Sequence, residues 1–285
     1  MKEERVRKNR TKLNAKGSII GMLLFEWDWK ENGECFMESW DKQASRRKAK
    51  LQGLKEKIYL NCVNIDAPFI NAFSLAHILY LAAFFMILLA MFIFSDFINS
   101  HQVVIGRVMF TISVLQQILL YSWYYFETKF DLKQALPLHI CRLSTIMGLI
   151  YLLTGNQIIM QVLFYFGLYA YFSFFMPSRI NKFYHVSGLS YFLNHVITIL
   201  IPFFAYFTTG WTPSIRGLIV SLGAFAVYWF VALMVNQSTG GNYFYMKYRP
   251  VPALDKVNFP TYAVGNFIFT VGLFLIGYSI FHFFA

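Results

Sequence analysis

Seven apolar stretches, each of about 18 to 25 residues and separated by short polar connections, dominate the sequence: 70–94, 103–126, 136–153, 158–176, 189–207, 215–235 and 262–284. A helix rises about 1.5 Å per residue, so some 20 apolar residues cross the roughly 30 Å hydrocarbon core of a bilayer. In lipid, backbone polar groups must be satisfied within the segment, which selects helices. With 57% hydrophobic and 14% charged residues, the chain lies far from the roughly 25% charge of a soluble domain. The expected fold is all-α: a polytopic transmembrane helical bundle of about seven spans, the third being the shortest.

The cations fall on alternate connections: Lys129 and Lys133, then Arg179 and Lys182, then Lys247, Arg249 and Lys256. The intervening connections FINSHQ, TGNQ and TTGWTPS carry none. By the positive-inside bias the N-terminus is expected in the cytoplasm and the C-terminus outside, in a multi-pass protein of the cell membrane. The expected division is a basic cytoplasmic or membrane-surface tail over 1–65 and a transmembrane domain over 70–284. The first 58 residues hold 15 of the 25 Lys and Arg, and this excess suits a membrane surface better than nucleic acid. The apolar patch GSIIGMLLF in this tail is too short to span. The segment SWDKQASRRKAKLQGLKEKIYL reads either as a solvated charged tail or as a basic amphipathic helix on lipid. The long polar opening argues against a cleavable signal peptide. Gly217 with Ser221, and Gly265 with Gly272, are spaced for close helix packing.

Ionisable groups inside the spans are few: His77, Arg142 and His195, with His139 and Cys141 at the head of the third span. Carboxylates beyond the tail, including Asp96, Glu127, Asp131 and Asp255, sit at segment edges or in connections, so a carboxylate relay is not expected. Cys35, Cys62 and Cys141 are far apart and show no metal-ligand spacing; neither a metal nor a cofactor is expected. With Pro137 in the first helical turn, Cys141 falls about 6 Å along its span, His195 about 9 Å and His77 about 10 Å. Asn236 and Asn242 close the sixth span at the same face. That shared level permits mutual hydrogen bonding, which offsets the cost of burying polar groups. His139 and Cys141 point apart on a helix, whereas His139 and Arg142 share a side. A base for Cys141 therefore comes from another helix, and His195 is the candidate. A thiol in the second turn, near the positive helix end and beside Arg142, is expected to shift toward thiolate. The alternatives are structural: a packing cysteine, histidines that bond between helices, a snorkelling Arg142, and asparagines that cap or turn the chain.

The segments LPLHICRLS, FYHVSGLSYFLNHVITILIP and NYFYM resemble the YwaF-like bacterial integral membrane proteins, distantly similar to a vertebrate transmembrane acyltransferase that makes ether phospholipids. The likeness covers about residues 70 to 284. It implies an acyl-carrying cysteine at Cys141, with His195 as base and His77, His139, Arg142 and His185 as supporting or headgroup-binding groups. The expected function is acyl transfer between lipids near the cytoplasmic face. The rivals are a non-catalytic carrier of lipid or small solute using the same polar cluster, and a regulatory membrane partner addressed through the tail. Membrane lipids are the expected partners in each case, with no nucleic acid; no oligomeric state is implied.

The orientation has a direct test. Cysteines placed in FINSHQ or TGNQ should react with an impermeant thiol reagent added outside intact cells, and one placed beside Lys182 should not. The opposite labelling pattern would reverse the topology.

Overall fold

The structure, a computed structural model, describes residues 45–177, 180–249 and 252–284. Cys35, the GSIIGMLLF patch and Arg179 lie outside the described residues. The chain divides into two units between Tyr59 and Leu60. A first helix, α1, covers 45–62, and its residues from 45 to 61 are exposed.

The second unit is helical: α2 (Leu75–Ile93), α3 (Ser95–Ser100), α4 (Gln102–Thr128), α5 (Ile140–Thr154), α6 (Gln157–Phe175), α7 (Val186–Thr209), α8 (Ile215–Thr239) and α9 (Phe259–Phe284), with short 3-10 turns at Tyr243–Tyr245 and Pro252–Lys256. Extended pairing among the described residues is limited to one antiparallel bridge, Phe69 with Asn181. Among the described residues, six helices (α2, α4, α6, α7, α8 and α9) are long and apolar enough to cross a membrane. The seventh, α5, has 15 residues and reaches only about 22 Å. The expected all-α bundle is thus present, with the third span the short one.

Helix starts differ from the apolar runs where a side chain or a tertiary bond captures the backbone. The first span begins at Leu75, not 70, because Ile70 N donates to Ile180 O at 2.7 Å and Ser74 then caps the helix by accepting from His77 N. α7 begins at Val186, three residues early, because the His185 ring accepts from Ser187 N at 3.1 Å. α5 begins at Ile140, so Pro137 is not in its first turn and Cys141 is. Gly155 and Gly210 end α5 and α7 with φ near +65°, a left-handed closure that disfavours a side chain.

The central helix is α7, with 72% of its apolar window buried against 22% for α2, α4 and α9. Aromatic packing fills the half of the bundle around the starts of α5 and α7: Phe84 of α2 stacks on Phe174 of α6 at 4.7 Å, and Phe225 of α8 meets Phe244 at 5.4 Å. Gly217 packs closely as expected, since a Cβ there would lie 2.1 Å from Gln161 Oε1. That amide is fixed because it accepts from Ser214 N and donates to Thr212 O. Gly265 and Gly272 do not pack closely: a Cβ on either would meet nothing within 4 Å, and it is Gly277 that α6 approaches, through Leu168.

A Cβ on Gly188 would sit 2.2 Å from Lys182 O and 2.6 Å from Asn181 O, both backbone atoms that cannot swing aside. Gly188→Ala should therefore cost about 2 kcal/mol or more, in the range of overpacked cores. Gly223→Ala, which meets nothing within 4 Å, should be neutral or slightly stabilising. Thermal unfolding in detergent reads the difference; equal melting of the two variants would contradict it.

Candidate functional site

The connection 129–139 carries the whole of LPLH and is wound in turns instead of helix. Its carbonyls are satisfied one after another by side chains from outside it. Tyr243 Oη donates to Leu132 O at 2.6 Å and accepts from Leu136 N at 3.0 Å. Arg142 Nη1 donates to Gln134 O at 2.7 Å and Leu136 O at 3.2 Å, while Nη2 donates to Tyr124 Oη. The guanidinium also lies over the Tyr124 ring, 4.8 Å from its centroid. Tyr228 Oη donates to Leu138 O at 2.9 Å. His139, at the N-cap of α5, makes no capping bond with its ring, which packs against the Tyr243 ring at 5.0 Å.

Tyr243 is itself held from below. Asn236 Nδ2 donates to Tyr243 O at 2.8 Å, and Asn236 Oδ1 accepts from Tyr243 N at 2.7 Å. Asn242 Oδ1 accepts from Lys247 N at 2.7 Å and Tyr248 N at 2.9 Å. These bonds stabilise a segment in which Phe244 and Tyr245 take φ of 57° and 53°, values uncommon for bulky residues. The described bonds of both asparagines go to backbone. LPLH-x-CR and NYFYM therefore form one interlocked unit.

Cys141, half-buried in the first turn of α5, places its Sγ 3.9 Å from Ser173 Oγ of α6. Its carbonyl accepts from Asn194 Nδ2 at 3.2 Å. Asn194 Oδ1 in turn accepts from Thr145 Oγ1 at 2.5 Å and Gln117 Nε2 at 3.4 Å, tying α4, α5 and α7 together. A search restricted to ionisable groups misses Asn194, Gln117, Thr145 and Ser173. The available signal was neutral amides and hydroxyls within apolar stretches, which also carry a cost when buried unpaired.

His195 adjoins this group. Its Nδ1 lies 2.7 Å from Tyr191 O; a carbonyl only accepts, so Nδ1 carries the proton and Nε2 keeps its lone pair. Nε2 takes part in no hydrogen bond among the described residues. The ring lies 4.1 Å from the Tyr191 ring and 5.8 Å from Phe174, and Tyr191 Oη donates to Ser173 O at 2.5 Å. Cys141 and His195 thus border one cluster without a hydrogen bond between them.

The other histidines are engaged differently. His77 Nδ1 accepts from Phe73 N at 2.9 Å, so Nε2 donates to Phe174 O at 2.7 Å. His185 Nδ1 accepts from Ser187 N, and Nε2 donates to Asn64 O at 3.1 Å. Both rings spend both nitrogens on backbone. The level computed from span starts also changes: along their own helices Cys141 lies about 2 Å in, His77 about 3 Å and His195 about 14 Å. Cys141 and His195 still border one cluster, because α5 begins beside the ninth residue of α7, where Asn194 bonds the Cys141 carbonyl. The described bonds of Arg142 go to neutral oxygens of the connection and Tyr124, none to the thiol, so a direct guanidinium–thiolate pair is not formed. No group of three His, Cys, Asp or Glu among the described residues is placed to hold a metal.

The sequence model of the TMEM164 family matches residues 72–278, a range that contains every one of these groups. No curated protein and no solved structure matches the chain.

The cradle around 129–139 predicts that Tyr243→Phe, which removes a donor and an acceptor at once, lowers stability by roughly 1–3 kcal/mol. Tyr125→Phe, on an exposed ring, should leave it unchanged. Thermal melts in detergent check this, and an unaffected Tyr243→Phe would show that the connection is held by other means.

Proposed function

The chain belongs to the TMEM164 family, and from that premise we propose that it is a cysteine-dependent lipid acyltransferase working near the cytoplasmic face of the cell membrane. The observation that carries the reading is an imidazole of fixed tautomer bordering the same cluster as Cys141: His195 holds its Nδ1 proton on Tyr191 O, which leaves Nε2 unspent and able to act as a base. A neutral base of this kind suits a thiol that no cation pairs with.

In the proposed reaction the thiol turns from Ser173 toward Nε2 and gives up its proton as sulfur attacks the ester carbonyl of a donor phospholipid. The carbon–sulfur bond forms, the ester carbon–oxygen bond breaks, and the leaving lysolipid oxygen takes the proton from the imidazolium. An acceptor hydroxyl then attacks the thioester, passing its proton through Nε2, and the thiol is regenerated as the new ester forms. Arg142, whose described partners are neutral, retains its charge for a lipid phosphate, and His139 borders the same region. In this reading Tyr243, Asn236, Asn242, His77 and His185 build the support.

A second reading has an observation of its own. The thiol faces Ser173, not His195, an arrangement equally suited to a noncovalent lipid or small-solute carrier. The two readings separate on variants. Under acyl transfer, Cys141→Ala and His195→Ala should each lower lipid turnover by about 10²-fold or more, and the double variant should fall little further, because groups acting as one unit are not additive. Cys35→Ser and Cys62→Ser should retain activity. A fully active Cys141→Ala would overturn the cysteine mechanism, and a wild type with no thiol-dependent lipid turnover would leave the carrier reading in its place.

A further inference from the structure

Helix α1 has two faces of different chemistry. At 100° per residue, Leu51, Leu54 and Ile58 fall within about 60° of one another and form a single stripe. All three are exposed, at 57%, 53% and 51%. Lys48 and Lys55 flank the stripe on one side and Arg46 and Lys50 on the other, with Arg47 one turn before Leu51. Glu56, the only acid in 45–62, lies on the opposite side. Long cationic arms bordering an apolar stripe can bury their stems and keep their charges at a polar boundary.

The residues that follow α1 are hydrogen-bonded within the second unit. Val63 O, one residue past α1, accepts from Trp123 Nε1 at 2.5 Å. Asn64 O accepts from His185 Nε2 at 3.1 Å, and Ala67 O accepts from Asn181 Nδ2 at 2.9 Å. Trp123 lies near the end of α4, and His185 caps the start of α7. The same face carries the connections with Lys129, Lys133 and Lys182. The chain bonded there follows directly on α1, a basic helix of about 27 Å that ends at position 62.

We propose that α1 is an interfacial helix that lies on an anionic lipid surface, its Leu51–Leu54–Ile58 stripe inserted at the acyl boundary and its cations on lipid headgroups. Charge complementarity selects the occupant: six Lys or Arg against one Glu over 45–62 fits anionic lipid, and the tether keeps the helix at the membrane. The inference does not depend on acyl transfer at Cys141.

The test uses the full-length chain in lipid nanodiscs, with Cys35, Cys62 and Cys141 changed to Ser and one fluorophore-labelled cysteine introduced at a time. Labels at Leu51→Cys, Leu54→Cys and Ile58→Cys should be quenched by nitroxide-bearing lipid in nanodiscs containing phosphatidylserine. Quenching should weaken in phosphatidylcholine alone, and a label at Glu56→Cys should stay in water. Adding Lys50→Glu and Lys55→Glu should reduce surface affinity by roughly fivefold or more per cation while the bundle melts unchanged. Equal quenching with and without phosphatidylserine would overturn the anionic assignment. Labels wet at every position would mean a solvated tail. Stripe labels shielded from water yet untouched by the lipid quencher would mean that protein, not lipid, covers the face.

Discussion

A helix of 15 residues in a bundle of longer ones leaves irregular backbone near membrane depth, and that backbone must be hydrogen-bonded by protein. Arg142 meets this constraint by turning its fork back onto Gln134 O and Leu136 O. The tyrosines complete the row, Tyr243 at Leu132 and Tyr228 at Leu138. A guanidinium serves here because it presents several donors in a fixed plane and stacks on Tyr124. The position of Cys141 follows: with the connection pinned, α5 starts beside Asn194 and the thiol arrives next to Ser173.

The fold was largely legible because its signal is long apolar runs, which physics allows only one backbone solution in lipid. The helix starts were less legible. Residues 70–74 and 136–139 are as apolar as a helix, but Ile70 is taken by Ile180 O, and the 136–138 backbone by Tyr243, Arg142 and Tyr228. Those partners lie about 90 to 110 positions away, or across a turn, and no local pattern reveals them. Asn236 and Asn242 bond backbone only five to seven residues on, holding the loop that aims Tyr243.

Within the candidate site, Cys141 and His195 were legible as costly residues in an apolar setting, and the structure brings them to one cluster. Their distances along their helices were not legible, since they depended on the helix starts. His77 and His185 show the converse. Each is a rare imidazole at a span start, yet each divides its two nitrogens between backbone groups. What distinguishes His195 from these two is that only one of its nitrogens is spent, a difference of hydrogen bonding that residue type cannot convey.

Acyl transfer as proposed requires that Cys141 carry an acyl group in turnover. Intact-mass measurement of the full-length protein after incubation with a donor phospholipid detects that intermediate. An added acyl mass is expected, removed by neutral hydroxylamine, present in Cys62→Ser and absent in Cys141→Ala. An adduct that persists in Cys141→Ala, or noncovalent lipid alone with every donor offered, would contradict it.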